Sequence, residues 1–343
     1  MVQVDYIIVG GGFAALFFAH QLLKNNKTFV LYSNNRTSAS HISAGVCNPV
    51  ILKRFSTFWK SEEQMQFLES FFAEVKTYTS KNYLINEPVA RIFHNESEKT
   101  QWIRNSNKET LKPYLNNTFT KLQSVENDFE TGIVDKSCRL DVENFFNDFF
   151  NYLDKNENLI SENFNYKSLD TTNSQYKNYQ FKNIVFCEGV NIKNNPYFEN
   201  IPVLPNKGHC LEVKIDEPID PYIIKKKHFL FSLSDNRFYY GGTYDRLDET
   251  SDINQEFVDE LKNGLKEFYK KDFAVTKIKT AFRATVDDRK PILGTHPDFK
   301  NLHIFNGLGA RGVLNGTYFS KIMFDYLENE LEIDSDIDVR RFY

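Results

Sequence analysis

Three consecutive glycines, Gly10, Gly11 and Gly12, stand between an apolar, β-branched run at residues 4–9 and a segment of helical period that begins at Phe13. A short apolar run ended by glycine predicts a buried strand. Ala15, Phe18, Ala19, Leu22 and Leu23 recur at helical spacing, and Asn25 and Asn26 close that helix. Residues 28–32 predict a second buried strand, so the chain opens on one βαβ unit of about the ~30 residues that motif needs. Within it, Gly10-Gly11-Gly12-Phe13-Ala14-Ala15 fits G-x-G-x-x-[GA]. Gly10 permits the tight turn, Gly12 lets backbone N–H groups approach a pyrophosphate, and Ala15 lets the helix pack closely on the strand. The helix N-terminus then holds the anion through free N–H groups and a dipole of roughly half a charge. The same pattern occurs in ordinary glycine turns, but here strand, helix and second strand all stand where a dinucleotide site needs them. One part of the fingerprint is absent. An acid is expected about 20 residues past the glycines to bind ribose hydroxyls, and the second strand ends on Ser33 and Asn34 instead. Both can hydrogen-bond a hydroxyl, neither as a charged acceptor.

At 343 residues the chain has room for about two domains of ~150 residues each. Its 41% apolar content, with 32 Phe and 18 Tyr, supplies a core and excludes a disordered chain. The net charge of −4 gives no sign of the basic stripe a nucleic-acid binder carries. Cys47, Cys138, Cys187 and Cys210 form no CxxC pair, no zinc spacing and no disulfide framework, which suits a reducing cytoplasm. No basic segment precedes the glycine-interrupted apolar run, so neither a signal peptide nor a membrane span is expected. The sequon Asn35-Arg36-Thr37 carries no meaning without secretion.

Further along, residues 62–75 predict a helix with Met65, Leu68, Phe72 and Val75 on one face. Residues 82–130 read as strand-like pieces among Asn- and Lys-rich loops. A second helix follows at 141–153, capped by Asp141 and striped by Val142, Phe145, Phe146, Phe149, Phe150 and Leu153. Residues 184–186 predict a buried strand ended by Gly189. From 205 to 279 the pattern is mainly β, with a hairpin at 229–233 and 237–240 and one helix near 255–269. A strand at 302–305, a glycine-rich loop at 306–312 and a helix to about 327 follow, then an acidic tail expected to be solvated. The expected fold is α/β. A Rossmann-like dinucleotide-binding domain is assembled from residues 1–55, 140–205 and 280–343, and an α+β substrate domain with a mainly antiparallel sheet occupies 56–139 and 206–279. Gly307, Gly309 and Gly312 form a second GxGxxG, but only about 16 residues follow its helix. That is too few for a second unit of ~30 residues. A loop and helix N-terminus aimed at a bound cofactor ring fits better.

Six stretches together resemble the D-amino acid oxidase and glycine oxidase group of FAD-dependent oxidoreductases: DYIIVGGGFAA at 5–15, SHISAGVCNP at 40–49, IVFCEG at 184–189, PNKGHCLEV at 205–213, AFRATVDDRKPILG at 281–294 and NGLGARGV at 306–313. The resemblance implies FAD held by Gly10, Gly12, Phe13, Ala14 and Ala15, with Ser33 and Asn34 at the ribose position. It places Ser43, Ala44 and Gly45 beside the flavin ring, Cys187 and Gly189 on the returning strand, and Gly307, Gly309 and Gly312 in the closing loop. Covalent branches of the group use a Cys or a His. No Cys lies beyond Cys210 and His41 stands one position out of register, so non-covalent FAD is expected.

The resemblance also implies that Arg283 pairs with a substrate carboxylate, as a planar guanidinium does with two parallel hydrogen bonds, and that Arg311 is a second active-site arginine. For each, the alternative is a structural ion pair. The implied reaction oxidises the C–N bond of an amino acid or secondary amine, with hydride passing to flavin N5 and dioxygen or another acceptor reoxidising the flavin. A second reading is a flavoenzyme acting on an aminomethyl-uridine at the wobble position of tRNA, for which Lys225, Lys226 and Lys227 form one local basic cluster, a run that otherwise reads as a solvated turn. A third is a nucleotide-binding protein without catalysis. His209 and Cys47 read as structural, and Phe238, Tyr239 and Tyr240 as strand packing from which one ring can line the substrate site.

Overall fold

The computed structural model describes residues 1–34 and 38–343, so the sequon at 35–37 lies outside the described residues. Strands Leu159–Ile160, Phe29–Tyr32, Val2–Val9, Tyr179–Phe186 and Leu302–Asn306 lie side by side in that order, all parallel. Ile292–Thr295 adds an antiparallel strand beyond Leu302–Asn306. The second half of Val2–Val9, Tyr6 to Val9, is covered on both faces, which is why it reads as an apolar run rather than an alternating one. Tyr6 and Ile8 enter the core shared with the helices, and Ile7 and Val9 enter the core beneath Phe186 and Phe198.

Helix Phe13–Lys24 crosses helix Gly312–Glu328 closely. A Cβ at Gly312 would stand 2.9 Å from the Phe13 ring, and one at Gly316 2.6 Å from Phe17. Helix Val142–Lys155 buries Val142, Phe145, Phe146, Phe149, Phe150 and Leu153, and the Asp141 side chain accepts the Asn144 N–H at 3.4 Å. Helix Ser61–Thr79 falls inside the 56–139 stretch, yet Leu68, Phe71, Phe72 and Val75 join this same aromatic core. Phe17 stands at its centre, with ring centroids 5.2 Å from Phe71 and 5.5 Å from Phe145.

The second large sheet runs Ala274–Thr285, Leu204–Lys214, Arg237–Gly241, Phe229–Ser234, Ile223–Lys225, Val89–Ile92, Thr131–Val134, Leu115–Thr120. Every pairing is antiparallel except that of Ile223–Lys225 with Val89–Ile92. Alternation divides its side chains. Leu211, Val213, Phe238 and Tyr240 pack on helix Gln255–Lys266 through Val258, Leu261 and Leu265. Cys210, Ile223, Phe231 and Tyr239 point the other way, against Val50 and Leu52.

Two expectations need correction. Residues 96–106 form a helix, Glu96–Ser106, not loops and strand pieces. Its polar composition hides the period, but Asn95 caps it by accepting the Glu98 N–H, and Trp102 anchors it with no exposed surface. The acidic tail is not solvated. Ile333, Ile337 and Val339 are buried, and the Leu293 N–H donates to the Ile337 carbonyl at 2.9 Å, so the tail covers the outer strand Ile292–Thr295. Three apolar side chains outweigh the surrounding acids; Glu332, Asp334 and Asp336 stay exposed, while Asp338 is buried and accepts from Arg340 Nε at 2.8 Å. Among the described residues, no helix is long and apolar enough to cross a membrane, and no group of His, Cys, Asp or Glu is arranged to hold a metal.

Candidate cofactor and substrate cleft

A cleft of about 1120 Å³ runs from the carboxyl ends of the parallel strands to the inner face of the second sheet. Single-ligand sites are typically ~300–1,000 Å³, so the space suits a dinucleotide and a small substrate together. Gly10 turns the chain at φ +126°, and a Cβ there would lie 2.2 Å from the Cys187 carbonyl oxygen, so only glycine fits. Gly12 opens helix Phe13–Lys24 without a side-chain cap. The Phe13 N–H donates to Ser40 Oγ at 3.1 Å, and Ala14 also lines the cleft. Ala15 does not; it is fully buried against the sheet, as its packing role requires. The first-turn N–H groups have no intrahelical acceptor, so this end of the helix is an anion site opening into the cleft.

The remaining expected contacts fall along the same wall. Ser33, Asn34, Ser43, Ala44, Gly45, Cys187, Gly189, Gly309 and Gly312 line the cleft. Gly45 has φ +65° and would drive a Cβ to 2.5 Å from the Leu140 carbonyl, which keeps this strip thin. A Cβ at Gly309 would meet nothing within 4 Å, so its backbone is open to the cleft. Gly307 is not on the wall: at φ +71° it makes the turn itself, packed on Val286 and Ile292. Its role is shape, not contact. Ser38 and Ser40 were not anticipated, and a Ser-rich loop between two strands gave no periodicity to flag them.

At the Ser33 end the cleft holds two carboxyl groups that motif reading missed. Ile160 pairs with Tyr32, and the Ser33 N–H donates to the Ile160 carbonyl, so Glu162 follows at the end of this neighbouring strand and lines the same cleft as Ser33 and Asn34, where the ribose acid is lacking. Glu162 Oε2 also accepts from Lys177 Nζ at 2.5 Å. Glu188 accepts from the Tyr166 hydroxyl and, at 2.8 Å, from Asn195 Nδ2. Burial pushes its carboxyl up to about 7 despite those two donors.

The opposite end is cationic. The Arg283 guanidinium lies over two glycines, where a Cβ at Gly208 or Gly242 would come within 2.5 or 2.9 Å of it. It donates from Nη1 to the Thr243 carbonyl at 3.0 Å and stacks 4.5 Å from the Tyr244 ring. Arg311 leaves the loop before helix Gly312–Glu328 and lies 4.4 Å from the Phe58 ring. Burial holds its pKa below the usual arginine value, and nearby Arg289 pushes the same way against Tyr244. Both arginines line one cleft. Tyr239 faces it, whereas Phe238 and Tyr240 belong to the other face of the sheet. His209 Nε2 accepts the Asn254 N–H at 3.1 Å, a structural bond. Cys47 and His41 are not on the wall, and His41 stacks 4.0 Å from Phe146.

Lys225 is not part of a solvated turn. Its Nζ lies 4.0 Å from the Phe229 ring and donates to the Lys227 carbonyl at 3.2 Å, and burial pushes its pKa down to about 8. Lys227 points elsewhere and pairs with Glu260 at 2.7 Å. The three lysines therefore do not make one basic patch.

A family model described as FAD dependent oxidoreductase matches residues 5–326. Among solved structures, glycine oxidase from Geobacillus kaustophilus superposes with a TM-score of 0.80 at 15% identity, over 100% of this chain and 98% of that one. Iminodiacetate oxidase from Chelativorans sp. BNC1 gives 0.79 at 15% identity, over 96% and 97%. L-proline dehydrogenase from P. horikoshii gives 0.75 at 12% identity, over 99% and 98%. At such identities the likeness is one of fold.

Proposed function

Because the chain belongs to the FAD dependent oxidoreductase family, we propose that it oxidises the C–N bond of an amino acid or secondary amine, using non-covalent FAD. The glycine turn, the uncapped helix and the backbone open at Gly309 fit that cofactor, and Gly10, Gly12, Phe13, Ala14, Ser43, Ala44, Gly45, Cys187, Gly189, Gly309 and Gly312 are the residues to hold it. When bound, FAD supplies the hydride acceptor at N5. One observation carries the reading: Arg283 is a guanidinium held over glycines at the cleft wall, bonded to a backbone carbonyl and an aromatic face. Its remaining donors suit a carboxylate, which they can clamp in one orientation. The cationic surroundings favour the neutral amine over the ammonium, so the nitrogen lone pair is available as hydride leaves the adjacent carbon. The imine so formed takes up water and splits into a carbonyl compound and an amine or ammonia. Dioxygen or another acceptor then takes the two electrons.

Residues 1–55, 140–205 and 280–343 form the cofactor-binding part in this reading, with the substrate part between them, and helix Ser61–Thr79 docks onto the former. Free thiols in all four cysteines suit a cytoplasmic enzyme. The tRNA reading draws on the same cationic cleft end, but the lysine run gives it little support, since Lys225 turns inward and Lys227 is paired with Glu260.

The test is the visible spectrum of the purified, FAD-loaded protein, followed anaerobically as glycine, sarcosine and D-amino acids are added in turn. Bleaching by one of them supports amine oxidation and names the class. A flavin that none of them bleaches moves the weight to a larger substrate such as tRNA. A protein that takes up no FAD overturns the reading altogether.

A further inference from the structure

We propose that the cleft selects an amine bearing two acidic groups, with Arg283 holding one and Lys225 the other. The inference rests on the reading of Arg283 as the carboxylate clamp.

The inner face of the second sheet carries many cations, and most are neutralised. Arg91 pairs with Glu98 at 2.6 Å, and Glu212 takes Arg237 at 3.4 Å, Lys277 at 3.7 Å and also Lys279. Lys225, Arg283 and Arg311 differ. Among the described residues none of them has a carboxylate partner; their contacts are carbonyl oxygens and aromatic faces. The acids on the cleft wall are Glu162 and Glu188, both at the far end. Half-buried cations without counter-charges are costly, and an anionic ligand removes that cost.

Register places the two groups at a useful spacing. Gly241 pairs with Phe229, and Phe229 pairs with Lys225. Lys225 is therefore two strands from Gly241, about 10 Å at ~4.8 Å per strand. The Arg283 guanidinium overlies the adjacent Gly242, and the Lys225 ammonium leans over Phe229, the residue between them. Both side chains reach inward, so the charges come closer than their backbones. A small amine with a carboxylate at each end can bridge that gap. A substrate with one carboxylate leaves the ammonium unanswered.

Non-reacting probes separate this from the oxidation itself. Succinate and glutarate, against acetate and propionate, are titrated calorimetrically into the FAD-loaded protein. The dicarboxylates are expected to bind at least about ten-fold tighter, close to the 1.4 kcal/mol that a tenfold ratio represents. Lys225→Met should bring the ratio to within about two-fold, and Lys225→Arg should keep most of it. Lys227→Met, outside the cleft, should leave the ratio as it is. Equal affinity for both probe classes in the wild type overturns the proposal, as does a full ratio in Lys225→Met. Flavin bleached by sarcosine with no dicarboxylate preference sinks this inference alone. A dicarboxylate preference in a protein that no amine bleaches sinks the oxidase reading and leaves the two-cation subsite standing.

Discussion

The two ends of the cleft are built from opposite materials. At the Ser33 end the charged side chains are Glu162 and Glu188, set among hydroxyls and the rings of Phe164 and Tyr166. At the other end they include Lys225, Arg283 and Arg311, set among Phe58, Phe229 and Tyr244, and Lys53 adds a further, exposed cation to the cleft wall. Carboxylates accept hydrogen bonds and repel anions, so the first end suits hydroxyl and amino groups of a neutral nucleoside. Cations against aromatic faces suit a carboxylate that arrives with its own charge. The helix N-terminus at Gly12 lies between them and offers a third kind of site, built from backbone alone. One end is polar recognition of a resident group; the other is electrostatic capture of a visitor.

That contrast can be broken at its centre. Gly10→Val forces a side chain into the Cys187 carbonyl at a backbone angle that disfavours it. A cost on the order of 3 kcal/mol or more is expected, with loss of bound flavin. The ratio of flavin absorbance to protein absorbance after purification checks it, and a fully yellow variant would contradict the assigned turn.

The cationic end comes next. Arg283→Met should lower kcat/KM for the best amine by ~10²–10³, equivalent to about 3–4 kcal/mol, while flavin content stays near the wild-type level. Steady-state kinetics beside the flavin spectrum reads both. Equal loss of flavin and turnover would mean that Arg283 holds the fold rather than the substrate.

The acidic end predicts a smaller, pH-dependent effect. Burial raises the Glu188 carboxyl from its ordinary 4.5 to about 7 in the folded protein. A group raised on folding contributes stability that is full below 4.5 and is lost as pH rises through about 7. Glu188→Gln has no such dependence. Between pH 4.5 and 7.5 the wild type should therefore lose stability relative to the variant, on the order of 1–2 kcal/mol. Thermal melts of both proteins across that range decide it, and parallel curves would refute it. Smallest of all, Glu162→Gln should weaken FAD by about three-fold, because an exposed carboxylate competes with water for every partner it has. Fluorescence titration of the flavin-free protein with FAD measures this, and unchanged affinity would return the ribose contact to Ser33 and Asn34.

The nucleotide half of this contrast was largely legible in the sequence. Gly10, Gly12 and the Val2–Val9 strand act through local geometry, and local geometry is written in consecutive residues. Arg283 and Arg311 were reached by resemblance, and the fold brings both to one cleft. Lys225 and Glu188 were not found. Lys225 sits in a run of three lysines that reads as a solvated turn, and its inward direction depends on pairing with Phe229 and, through it, Gly241. Glu188 reads as an ordinary acid in sequence and is half-buried in space, because Tyr166 and Asn195, from separate turns, close over it. Helix Glu96–Ser106 was hidden in another way: with Trp102 and Ser106 as its buried residues, it has almost no apolar period to read.

The strand order has a consequence for how the chain reaches its final form. Val2–Val9 is synthesised well before its partner Tyr179–Phe186, which lies more than half the chain's length further on, with Leu302–Asn306 beyond that. Until those arrive, Tyr6, Ile7 and Ile8 have no covering neighbour on that side and present an unpaired apolar edge. Pairings of such long sequence separation close slowly, since the entropy of the intervening loop is lost before the contacts form. The nascent protein therefore spends much of its synthesis with this central strand half dressed. Chaperone protection, or early occupation of the glycine turn by the nucleotide, would shorten that interval.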